Sequence, residues 1–272
     1  MAKAELLFVG TDTGLLQFSN PGGIGRWLRN GHSLPGSDIV AIWANPDDPT
    51  QLLCSDAEQL YESSDGGQHW SDPVALGIVA FAASRNHPAL IVARTDSDAI
   101  LSTDNGEQWR RIAPAEQISV SNDTIAISTP TKAHQSNDGG TSWQVDEPWT
   151  HRAASHDGVH TITRTTSGIW RVNASEIPAP PLSVRAMAIC SGSPARVVCS
   201  DAQTLWVYES DWQQIVDAPA LTVLINTSYH PDRLWGADAN GTLWYSADRG
   251  THWVSIKTQL GMIHVIVAAR LL

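Results

Sequence analysis

Basic residues are scarce in this chain. Its 272 residues carry 17 Lys+Arg against 28 Asp+Glu, a formal net charge of -11. Gripping phosphates or an anionic lipid surface takes a basic face, so neither nucleic acid nor membrane is an expected partner. Long apolar runs are missing too. Leu6-Leu7-Phe8-Val9 is too short for a secretory leader and has Glu5 at its edge, and residues 74–83 are about half the length a bilayer span requires. The expectation is a soluble, cytoplasmic protein. Only three cysteines occur, Cys54, Cys190 and Cys199, which is no disulfide framework. Cys54 and Cys199 end the matching strand-like segments Leu52-Leu53-Cys54 and Val197-Val198-Cys199, and free buried thiols are expected. Also absent are a G-x-S-x-G nucleophile elbow, a phosphate-binding glycine loop and cysteines at metal-ligand spacing.

Tryptophan and glycine, in contrast, are plentiful, with 12 and 20 copies, and part of both falls in one recurring stretch. The pattern S-x-D-x-G-x-x-W occurs as Ser63, Asp65, Gly67 and Trp70; as Ser102, Asp104, Gly106 and Trp109; as Ser136, Asp138, Gly140 and Trp143; and as Ser246, Asp248, Gly250 and Trp253. These residue types suit a tight turn between two strands. The carboxylate accepts from the amides that follow it and from the serine hydroxyl, glycine supplies a positive φ, and the indole ring packs beside its neighbour. Their expected role is framework, not chemistry.

The pattern resembles the Asp-box (BNR) repeat of β-propellers, a family that includes sialidases, sortilin-type receptors and photosystem II assembly factors. That resemblance implies an all-β propeller and is shared by enzymes and non-enzymes. A sialidase would need three carboxylate-gripping arginines, a Tyr/Glu nucleophile pair and an acid/base Asp. The aromatic-Arg-Ile-Pro run of that family is absent here. Tyr61, Tyr208 and Tyr245 share one strand register, which leaves Tyr229 in a turn on the wrong face. The resemblance therefore points to the non-catalytic branch of sortilin-type and assembly-factor propellers.

Motif aspartates 65, 104 and 138 recur at near-equal intervals, and the gap to Asp248 is three such intervals long. The chain accordingly divides into four-stranded blades, strands A to D, with the motif at the C–D turn. They cover approximately 6–29 with 262–270, 38–73, 77–113, 117–148, 150–180, 183–217 and 220–257. Within 6–29 only B, C and D (26–28) are found, with the run from Pro21 through Ile24 to Trp27 replacing the motif, and the apolar segment after Met262 is the expected missing strand A, closing the ring. Seven blades are expected; six remain open because 144–182 lacks a motif.

In this order the motif and A–B turns share one face, and the B–C turns and D–A connections share the other, where propellers usually bind. The B–C turns carry Asp12, Asp56, Asp96, Asp98, Asp201 and Asp238, with Lys132 and Arg164 in the two remaining blades and His32 in the first D–A connection. Together they are the candidate ligand face, although aspartate also favours tight turns on its own account. His151, His156 and His160 are close in sequence but strand alternation separates them, so no metal site, cofactor or catalytic residue is assigned. The expected function is a monomeric binding or assembly scaffold for a protein or small ligand. The alternative is a carbohydrate-active lectin or glycoside hydrolase, motivated by tryptophan content and the acidic rim.

Overall fold

The computed structural model describes residues 4–23, 25–84 and 86–271. Ile24, part of the stretch read as a motif substitute, lies outside these residues. The regular secondary structure of the described chain is almost all strand, and none of its helices is long and apolar enough to cross a membrane. It forms seven sheets, the blades of a β-propeller, distributed over two compact units.

The first unit holds four blades. Blade 1 joins β1 (Glu5–Thr11), β2 (Gly14–Asn20) and β3 (Leu28–Ser33) to the last strand of the chain, β27 (Ile263–Arg270), in the order β27-β1-β2-β3. The expected completion of this blade by the C-terminal strand is therefore observed. Blade 2 comprises β4 (Ala41–Ala44), β5 (Leu52–Ser55) and β6 (Leu60–Ser63), and its outer edge is reduced to one bridge between Leu60 and Val74. Blade 3 comprises β7 (Ala80–Ala83), β8 (Ile91–Arg94), β9 (Asp98–Ser102) and β10 (Arg110–Pro114). Blade 4 comprises β11 (Gln117–Ser121), β12 (Thr124–Ser128), β13 (Ala133–Ser136) and β14 (Gln144–Asp146).

The second unit holds three. Blade 5 comprises β15 (Trp149–Ala154), β16 (Thr161–Thr165), β17 (Trp170–Val172) and β18 (Ser175–Ile177). It settles the count at seven despite its missing motif. Blade 6 comprises β19 (Ala186–Cys190), β20 (Arg196–Ser200), β21 (Leu205–Tyr208) and β22 (Trp212–Gln214). Blade 7 comprises β23 (Leu221–Asn226), β24 (Leu234–Asp238), β25 (Leu243–Ser246) and β26 (Val254–Lys257).

The core lies between successive blades. Ala41, Trp43 and Leu53 meet Ile91, Ala93 and Ile100 across blades 2 and 3, and Val198 and Leu205 meet Leu224 and Leu234 across blades 6 and 7. Strands covered on both sides read as continuous apolar runs; β5 is buried at all four positions. Outer strands such as β14 and β26 are mostly exposed. The three cysteines are free and buried, as expected. Burial drives the Cys190 thiol up to about 11.

Two local readings need correction. The outer strand of blade 1 is Leu28–Ser33 instead of 26–28, so His32 lies in a strand and not in a connection. Its polar, largely exposed sequence carries no alternating apolar signal. Arg164 falls within β16, and Asp98 and Asp238 at ends of β9 and β24, all one or two residues inside the strands flanking their turns. The motif tryptophans are half-buried and pack against the apolar clusters between blades.

Candidate functional site

The motif turns use up their own polar groups. Ser63 Oγ donates to Asp65 Oδ1 at 3.0 Å and accepts from the Gly67 amide at 2.8 Å, while Asp65 Oδ1 accepts from the Gln68 and His69 amides, both at 2.9 Å. The arrangement repeats at Ser102 and Asp104, at Ser136 and Asp138, and at Ser246 and Asp248. The Ser142 hydroxyl and amide, with Ser136, hold the Asp138 carboxyl down at about 2. The Gly66, Asn105 and Arg249 amides then bond the A–B turn carbonyls of Thr50, Ala89 and Asp232, which puts both turns at the same end of their blade. A carboxylate that accepts this many hydrogen bonds is a brace, poorly suited to proton transfer.

At the other end of the blades, three of the six rim aspartates also serve their own turns. Asp56 accepts from the Glu58 and Gln59 amides and from the Tyr61 hydroxyl at 2.9 Å. Asp201 accepts from the Gln203 and Thr204 amides, and Asp238 from the Asn240 and Thr242 amides and the Trp244 indole. Asp98 is paired with Arg111 at 2.6 Å, which lowers its carboxyl. Asp12, Asp96 and Lys132 are exposed, and so is His32, whose Nε2 lies 3.0 Å from the Thr13 carbonyl. Half of the acidic rim is thus engaged in turn chemistry. Among the described residues no group of three or more His, Cys, Asp or Glu could hold a metal ion. His151, His156 and His160 face Thr150, Ser191 and Asn173 respectively.

Arg164 is different. It lines a recess of about 270 Å3 in the second unit, with His151, Trp170, Leu182 and Val184 among its walls and Ala179 and Pro180 from the blade 5 to blade 6 connection. The recess therefore lies at the B–C and D–A end. The Arg164 guanidinium carbon lies 6.0 Å from the Trp170 ring centroid, and Nη1 donates to Thr150 Oγ1 at 3.2 Å. His151 stacks on the same indole, with ring centroids 6.3 Å apart. Burial, assisted by the Arg164 cation, lowers the His151 imidazole below its ordinary range, so the pocket holds one cation near neutrality. Arg164 is legible in the sequence as a rim residue. His151 is legible there only as a weighed and rejected metal ligand, and Trp170 gives no signal, because the register that sets both opposite Arg164 on neighbouring strands has no fixed sequence spacing.

A second recess, about 530 Å3, lies in the first unit at the motif-turn end, where the sequence predicts framework alone. Trp43, Trp70, Glu62, Asp65, His69 and Glu107 line it. Burial raises the Glu62 carboxyl, and Glu107 adds to the effect.

No family model matches the chain, and no curated protein matches it. Solved structures do. A structure titled YCF48 bound to D1 peptide aligns with a TM-score of 0.55 at 13% identity, over 94% of this chain and 86% of that one. A chain of a structure titled Nidogen/Laminin Complex aligns with a TM-score of 0.59 at 10% identity, over 98% of both chains. An ancestral GH74 enzyme aligns with a TM-score of 0.63 at 11% identity over 90% of this chain, which spans only 45% of that enzyme. At these identities the likeness extends to the fold alone.

Proposed function

We propose that this chain is a non-catalytic, cytoplasmic propeller of the Asp-box type, a monomeric scaffold that recognises a protein through the B–C and D–A end of its blades. The observation that carries the reading is the Arg164 recess, a cationic and aromatic pocket at that end, whereas the motif carboxylates are consumed by their own turns. The likeness to YCF48, solved with a bound peptide, supports a protein partner. Three free cysteines suit a reducing compartment.

A carbohydrate-active protein is the second reading, favoured by Glu62, whose raised carboxyl shares an indole-walled recess with Glu107, and by the likeness to a GH74 enzyme. One experiment separates the two. Random peptides displayed on phage are selected on the immobilised protein, and the binders are measured against Thr166→Trp, in the blade 5 B–C turn, and Thr141→Trp, in the blade 4 motif turn. The same preparations are screened on a glycan array and on aryl glycosides. Peptide binding lost in T166W and kept in T141W, with silence on glycans, supports the scaffold. Glycoside turnover abolished by Glu62→Gln overturns it in favour of the enzyme.

A further inference from the structure

We propose that the Arg164 recess is a pocket for an apolar monocarboxylate, either the terminal carboxylate of a peptide or a small free acid. The inference rests on reading this end of the blades as the binding end. It starts from an imbalance of charge. Arg111 is paired with Asp98, Arg171 with Glu147 and Glu176, and Arg196 and Arg249 with Glu209. Among the described residues no carboxylate lies within ion-pair distance of Arg164, in a chain whose formal charge is -11.

The guanidinium is half-buried and already oriented, stacked near Trp170 and tied by one N–H to Thr150. Its remaining N–H groups form a planar donor fork, which matches the two oxygens of a carboxylate. A partly desolvated cation without a counter-charge gains more from an arriving anion than an exposed one does. Volume and lining narrow the class further. A recess of about 270 Å3 with one cation and walls from Trp170, Pro180 and Leu182 suits a single negative charge on an apolar body. A phosphate dianion would keep one uncompensated negative charge beside the single guanidinium of a partly desolvated recess.

The probes are phenylacetate, hexanoate, and an alanine-based hexapeptide ending in leucine, with its C-terminus free or amidated. Binding is followed by NMR through the Arg164 guanidinium and Trp170 indole resonances. Expected are shifts of both resonances with the free-acid forms, no shift with the amidated peptide, and binding at least about tenfold weaker in Arg164→Gln. Ser183→Trp, which fills the recess and leaves Arg164 in place, is the second variant, so that a folding defect in R164Q does not decide the matter; it is expected to abolish binding as well. Response to the peptide but not to phenylacetate or hexanoate assigns a chain-terminal carboxylate, and the reverse assigns a small acid. Equal binding of the acid and amide forms, or S183W binding as wild type does, overturns the pocket while leaving a protein-binding scaffold standing. Small acids bound at Arg164 in a protein that selects no peptides would instead leave the pocket and remove the scaffold. Silence toward every probe overturns the pocket.

Discussion

Glycine at the fifth position of each motif answers two demands at once. Gly67, Gly106, Gly140 and Gly250 have φ between 82° and 99°, the left-handed region. Each also sits against the preceding blade: a Cβ on Gly106 would meet Leu53 Cδ1 at 2.7 Å, and one on Gly140 would meet Leu101 Cδ2 at 2.9 Å. Gln17 Nε2 and Arg110 Nη2 reach across in the same way to the Gly67 and Gly140 carbonyls. The turn demand was legible in the motif; the docking was not, because Leu53, Leu101 and Gln17 belong to other repeats and stand at no fixed spacing. Gly66, also at positive φ, has nothing within 4 Å of the place a Cβ would take and supplies the control. Urea denaturation is expected to show Gly66→Ala costing about 1 kcal/mol and Gly106→Ala about 2–3 kcal/mol or more, since strain and collision add. Equal costs would mean that the docking contributes nothing.

At the level of the turn and strand, the hydrogen bonds that brace each motif make its stability depend on ionisation. Asp138 titrates ordinarily near 3.8 and at about 2 in the folded chain. Because the folded value is depressed, the unfolded chain takes up the proton first as pH falls. The contribution is therefore fully present above about pH 4 and disappears between about pH 4 and pH 2. Thermal melts of wild type and Asp138→Asn should differ at pH 6 and converge towards pH 2; a gap that stays constant over this range contradicts the brace. Blade 5 shows what can replace the motif. Asn173, at φ 55°, makes the short turn between β17 and β18, and its side-chain oxygen accepts from the Thr161 amide at 2.8 Å. Strands B and C were readable from apolar content, but β3, β14 and β18 carry exposed, mixed sequences whose pairing is fixed by the sheet they complete. The same reason hid the true position of His32.

For the molecule as a whole, the placement of the last strand was legible because a motif counted at near-equal intervals leaves one blade short of a strand and one apolar strand left over, whereas the motif-less blade 5 left the count between six and seven. The binding end was legible as topology only. Which side chains gather at a recess depends on packing between β15, β16, β17 and the connection that follows β18, and three of the rim aspartates, Asp56, Asp201 and Asp238, cap their own turns. The last strand carries the most weight in this account. Ile263 and Ile266 are buried, and Gly10 in β1 leaves no room for a Cβ because Val265 Cγ1 would lie 2.6 Å from it. Each buried isoleucine contributes about 1.5–3 kcal/mol. The most direct test is hydrogen exchange and thermal melting of the chain with residues 262–272 deleted: β1 and β2 amides are expected to lose their protection and the cooperative transition to fall sharply or vanish. A truncated chain that melts at the wild-type temperature with β1 still protected would contradict the completion of the first blade by the last strand.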